Sequence, residues 1–91
     1  MVSQKVKIRN ASGLHLRPAS ELSNLCSKCP CDVSIICSKG RINPKSVLML
    51  MGAAIKAGTE IEVQCSGDDE KNSLIKIIDA IKGGFGEKMI D

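Results

Sequence analysis

Aromatic side chains are almost missing from this chain: Phe85 stands alone, with no tryptophan and no tyrosine among 91 residues. Any core must therefore be assembled from Val, Ile, Leu, Ala, Met and Cys. Without rings there is no platform on which single-stranded nucleic acid could stack, so direct nucleic-acid binding is excluded from the expectations. Histidine is scarce too, since His15 is the only one. No apolar run approaches the length of a signal peptide or membrane span, and the beginning, Ser3-Gln4-Lys5, is polar. A cytoplasmic location without membrane insertion is expected. Thirteen basic against ten acidic side chains leave +3. That is too mild for a surface that coats DNA and suits phosphate or acidic protein partners better.

What is present reads as one small domain over 1–91, with no linker, repeat or low-complexity segment. Lys5-Val6-Lys7-Ile8-Arg9 alternates polar and apolar residues, as a half-buried strand does. Asn10 to Gly13 make a turn. From about Leu16 to Ser27 the positions Ala19, Leu22, Leu25 and Cys26 share one helical face, and Pro30 stops the helix. Cys31 to Cys37 form a second strand with Cys31, Val33, Ile35 and Cys37 on one side. Ser38-Lys39-Gly40 turns the chain into a short edge strand, Arg41-Ile42-Asn43, closed by Pro44. Ser46 to about Met51 fits a short helix that Gly52 interrupts. Glu60 to Cys65 alternates cleanly as a strand. After the turn Ser66 to Asp69, Leu74, Ile77, Ile78 and Ile81 recur at helical spacing. Gly83-Gly84 end that helix, and residues 86–91 are expected to form a loosely held tail. The order is βαββαβα, an α+β, two-layer arrangement of four strands and three helices.

His15 lies between a strand, a glycine turn and a helix start. The first backbone N–H groups of a helix have no partner and carry roughly half a positive charge, so they can hold an anion. Pro18 suits a first turn, where its missing donor is not needed. Arg17 adds a planar fork matched to phosphate oxygens. A histidine in that field should resist protonation and keep a lone pair on one ring nitrogen. Read from spacing alone, His15 is either a capping or surface residue or a phosphoryl acceptor. Arg17 is either a solvated charge or its phosphate clamp.

Resemblance bears on that choice. Gly13-Leu14-His15-Leu16-Arg17-Pro18-Ala19 resembles the phosphorylation motif of HPr, the histidine-containing phosphocarrier of the bacterial phosphoenolpyruvate-dependent sugar phosphotransferase system. Lys45-Ser46 ahead of a short apolar stretch, and Ser66-Gly67 before the last helix, extend the likeness over nearly the whole chain. The resemblance implies an open-faced antiparallel sheet with the helices on one side. It implies a monomeric carrier without enzymatic turnover or cofactor. Enzyme I would donate a phosphoryl group to Nδ1 of His15. The backbone N–H groups of Leu16 and Arg17 and the Arg17 guanidinium would steady it, and sugar-specific IIA domains would accept it.

Ser46 reads as the N-cap of its helix. The resemblance further implies regulatory phosphorylation there by an HPr kinase/phosphorylase, with a catabolite-control transcription factor downstream. A phosphate adds about −1.5 to −2 charges at a helix N-terminus, where that sign is favoured. Enzyme I would then bind the altered surface less well. Val47-Leu48-Met49-Leu50-Met51 cannot turn every side chain inward, so part of it is expected on the surface as an adaptable docking patch. By resemblance Val47, Leu48 and Met51, with Lys45, Arg17, Ser20 and Asn24, belong to the partner-binding surface. Leu16, where the family usually has alanine, and Met49, where it often has glycine, both enlarge that surface.

Cys26, Cys29, Cys31, Cys37 and Cys65 leave three readings open. Cys-x-x-Cys is a metal-ligand and a redox spacing. Yet Cys26, Cys31, Cys37 and Cys65 fall on inward positions, and buried cysteine behaves as a small hydrophobe. Five thiols in a reducing compartment do not suggest a disulfide framework. Packing is the expected role, with no metal bound. The rival functions are a regulatory HPr-like protein acting only through Ser46, a nitrogen-type phosphocarrier, and a cysteine-based metal or redox domain.

Overall fold

The structure is a computed structural model that describes residues 1–90. The chain runs β1 (Val2–Lys7), α1 (Leu16–Ser27), β2 (Asp32–Cys37), β3 (Gly40–Ile42), α2 (Val47–Ala53), β4 (Glu60–Ser66) and α3 (Glu70–Lys82), then a short 3₁₀ turn over Gly84–Gly86. One antiparallel sheet has the order β1-β4-β2-β3. Alternation decides which face is wet. Lys5 faces Glu62 and Lys7 faces Glu60 across one face, where opposite charges sit as cross-strand neighbours. Val6 and Ile61, Val33 and Cys65, and Ile35 and Val63 pair on the other face, beneath the helices.

The core is aliphatic, as the lack of aromatics requires. Ile8, Leu22, Ile35, Leu50, Ile61, Ile77 and Ile81 are fully buried. Cys26, Cys29, Cys31 and Cys65 join the same cluster, and half-buried Cys37 packs against it. All five thiols are free. Burial, reinforced by neighbouring sulfurs, pushes the Cys26 and Cys65 thiols up to about 12. Neither supplies a thiolate near neutral pH.

β1 covers Val2–Lys7 where the alternation placed a strand over Lys5 to Arg9, and three further differences from the sequence expectation stand out. β3 starts at Gly40, one residue early. α2 continues through Gly52 to Ala53 and closes on Ala54, which takes a left-handed conformation at φ 50°. Glycine weakens a helix interior by only about 1 kcal/mol relative to alanine, too little to stop a helix whose Leu50 and Ala53 are buried. The third difference is the C-terminal segment. Residues 86–90 do not hang loose. Met89 bridges to Asn10, the Ala11 N–H donates to the Lys88 carbonyl at 2.9 Å, and the Ile90 N–H donates to the Arg9 carbonyl at 2.7 Å. The partners lie at the far end of the sequence, so no local pattern could announce them. Asp91 lies outside the described residues.

Candidate functional site

The turn between β1 and α1 aims His15. Gly13 holds φ at +70°, and a Cβ there would stand 2.7 Å from the Ile55 carbonyl oxygen. That same oxygen accepts the Leu14 N–H at 2.9 Å. Only glycine fits both the conformation and the approach. Leu14 then points into the core, and His15, in extended conformation, becomes the N-cap of α1. Its side chain makes no capping hydrogen bond, and no acidic residue lies in the first turn. The first intrahelical bond runs from the Ala19 N–H to the His15 carbonyl, 3.0 Å. Pro18 has no donor, so the N–H groups of Leu16 and Arg17 are the pair that the helix leaves without a partner.

The imidazole ring is exposed and turns toward Glu87, a residue that no feature of the sequence singled out. His15 Nε2 lies 2.8 Å from one Glu87 carboxylate oxygen and 3.1 Å from the other. Arg17 Nε donates to the same carboxylate at 3.3 Å. Asn10, fully buried, donates its Nδ2 to Glu87 Oε1 and to the Gly84 carbonyl, each at 2.9 Å. These contacts keep the Glu87 carboxyl below the usual carboxylate range; the Asn10 hydrogen bond is the leading cause, and His15 and Arg17 add to it against partial desolvation. Arg17 stands beside the ring, as its spacing suggested, but its fork is engaged by the chain itself. Nη2 donates to the Phe85 carbonyl at 3.0 Å, and Nη1 reaches Glu21 at 3.3 Å.

His15 shares a depression of about 540 Å³ with Met51, Ile55 and Lys56. Of the exposed apolar side chains, Leu48 is 80% exposed and Leu16 63%, with Met49 and Met51 partly so; Met51 alone of these lines the depression, and Met49 lies instead beside Asp32, Ser34 and Arg41. Leu50 turns inward and Val47 is half-buried. Ser20 and Asn24 are exposed on α1, on the side that carries Arg17. Ser46 caps α2, its Oγ accepting the Met49 N–H at 3.3 Å. Lys45, half-buried, is engaged by the chain itself. Its Nζ donates to the carbonyls of Cys31, 2.8 Å, and Cys29, 3.3 Å, and its own carbonyl accepts from Ser23 Oγ. The ammonium thereby ties the end of α1 to the start of α2.

Comparison with known proteins fits this geometry. The family profile described as PTS HPr component phosphorylation site matches residues 2–83. The chain belongs to the HPr family. The HPr of Neisseria meningitidis serogroup A is 34% identical over 87 residues, covering 96% of this chain and 98% of that protein. A crystal structure of HPr from Thermoanaerobacter tengcongensis superposes with a TM-score of 0.92 at 28% identity, covering 98% of this chain and 100% of that one. Crh of Bacillus subtilis, solved as a swapped dimer, gives 0.72 at 32% identity, covering 92% and 97%. The open-faced sheet, with three helices on one side, is the HPr fold. Phosphocarriers of this family serve the phosphotransferase system.

Proposed function

We propose that His15 is the phosphoryl acceptor of this HPr-family chain. It takes the group from phospho-enzyme I at Nδ1 and passes it to sugar-specific IIA domains. The observation that carries the reading is the open start of α1. An exposed imidazole stands at the N-cap, the N–H groups of Leu16 and Arg17 are unused within the helix, and the Arg17 guanidinium is alongside. Attack by the Nδ1 lone pair forms the P–N bond while the donor's bond to phosphorus breaks and the departing donor keeps that electron pair. The helix start and Arg17 neutralise the incoming oxygens. The product is a phosphoramidate that must remain transferable, so modest stabilisation suits it better than a deep well. The carrier needs no cofactor, turns over only as a stoichiometric intermediate, and works as a cytoplasmic monomer.

Leu16, Leu48, Met49 and Met51 form the apolar docking surface for both partners, with Val47 at its edge and Ser20 and Asn24 as polar contacts. Ser46 is a second acceptor, used for regulation by an HPr kinase/phosphorylase and read by a catabolite-control transcription factor. A cognate kinase should label the wild type and not Ser46→Ala; equal labelling refutes the assignment. The likeness to Crh supports a purely regulatory alternative acting through Ser46. The deciding experiment supplies phosphoenolpyruvate and enzyme I and follows an acid-labile adduct. Wild type takes up label and His15→Ala does not. Label that persists in His15→Ala overturns the carrier reading.

A further inference from the structure

The only histidine is paired with a carboxylate brought from 72 residues away, and that carboxylate is held in turn by a buried amide. We infer that Glu87 is a positioning residue for His15, supported by Asn10, and that the three side chains form a relay setting which ring nitrogen accepts the phosphoryl group. The inference rests on the carrier reading above and assigns the residue that prepares the nucleophile.

The geometry carries it in three steps. First, a carboxylate 2.8 Å from Nε2 can only accept, so in the neutral ring the proton resides on Nε2 and the lone pair on Nδ1. Second, the carboxylate is itself fixed. Asn10 Nδ2 holds one oxygen at 2.9 Å, and Asn10 is fully buried between the Gly84 carbonyl and Glu87. The pairing of residues 9–11 with 88–90 clamps the backbone on both sides of this contact. Third, the two ring nitrogens face apart, so a group on Nδ1 leaves the Nε2–H bond to Glu87 intact.

The charge balance then works in both directions. When Nδ1 gives its lone pair to phosphorus, the donor's bond breaks and its electrons leave with the donor. No proton moves. The ring, now bearing phosphorus on Nδ1 and hydrogen on Nε2, becomes cationic beside Glu87. On transfer to an acceptor nucleophile the P–N electron pair returns to Nδ1. The carboxylate offsets the positive charge that develops on uptake, and by keeping the proton on Nε2 it lets the ring leave as neutral imidazole rather than imidazolate on release. The charged groups facing the ring are Glu87 from the C-terminal segment, Arg17 from α1 and Lys56 from the loop after α2. Glu21 reaches it only through Arg17.

Two readouts on Glu87→Gln test this. In ¹⁵N spectra of the unphosphorylated protein near neutral pH, wild type should show a bare Nδ1 and a protonated Nε2. In the variant the Nδ1–H tautomer should rise about fivefold relative to the other. After charging by phosphoenolpyruvate and enzyme I, transfer to a IIA domain should slow about tenfold, with its pH dependence displaced to lower pH. An unchanged tautomer ratio in a variant whose amide spectrum shows it folded overturns the inference. So does slowing that is equal at every pH. The first readout needs no phosphoryl donor, so its failure counts against Glu87 alone, whereas failure of wild type to take up label counts against the carrier reading.

Discussion

The starts of α1 and α2 are built alike and finished differently. Each begins at an extended N-cap residue, yet Ser46 turns its hydroxyl back onto the Met49 N–H, while His15 turns its ring away to Glu87. The start of α2 is closed by its own side chain; His15 leaves the start of α1 open. The difference separates a helix start that is stabilised by its cap from one left free for the proposed carrier role. A cap that satisfies its helix contributes to folding. A cap position that declines to do so leaves backbone donors free beside the imidazole, where the proposed carrier role needs them.

Exchanging the two roles by mutation should fail, and the largest effect is the loss of phosphoryl uptake. His15→Ala is expected to abolish labelling while shifting thermal stability by under about 0.5 kcal/mol, because no capping bond is lost. A large drop in its melting temperature would show His15 to be structural. Next comes Gly13→Ala, whose Cβ would meet the Ile55 carbonyl in a left-handed backbone. It should cost about 2 kcal/mol in denaturant unfolding and disorder the His15 turn. A neutral result would mean that the turn is not rigid. Ser46→Ala should cost about 1 kcal/mol and leave uptake at His15 unchanged. A drop in uptake would show the two helix starts to be coupled.

The smallest effect is in acid. The folded Glu87 carboxyl ionises below its ordinary range, so its contribution is complete above that range and is lost as pH falls through the depressed value. Amide signals of residues 84–90 should therefore move in acid while those of the carboxylate-free middle of α3, Leu74 to Ile78, stay fixed. Movement with rising pH instead would reverse the sign and remove Glu87 as the cause. Glu70 follows the same rule, held low first by the Gly67 N–H and then by the chain's amino terminus.

Legibility in the sequence followed the range of the interactions. β4 and α3 were readable because their burial follows a period of two or of 3.6 residues within one segment. His15, Arg17 and the Ser46 cap were readable because a turn glycine, a proline and a serine mark helix starts locally. Glu87 was not. It reaches His15 through a return of the chain over Gly84, Phe85 and Gly86, and all three adopt or border left-handed conformations that no periodicity encodes. The anchoring of Lys45 was not legible for a related reason: a long side chain can reach inward to the Cys29 and Cys31 carbonyls as readily as outward, and no local pattern decides between the two.

The central claim is that the phosphoryl group sits on Nδ1 of His15 against the open start of α1. Heteronuclear NMR of the charged protein addresses it directly. Phosphorus coupled to Nδ1, together with displaced Leu16 and Arg17 amide signals, is the predicted result. Phosphorus on Nε2, or on any other residue, with those two amides unmoved would contradict it.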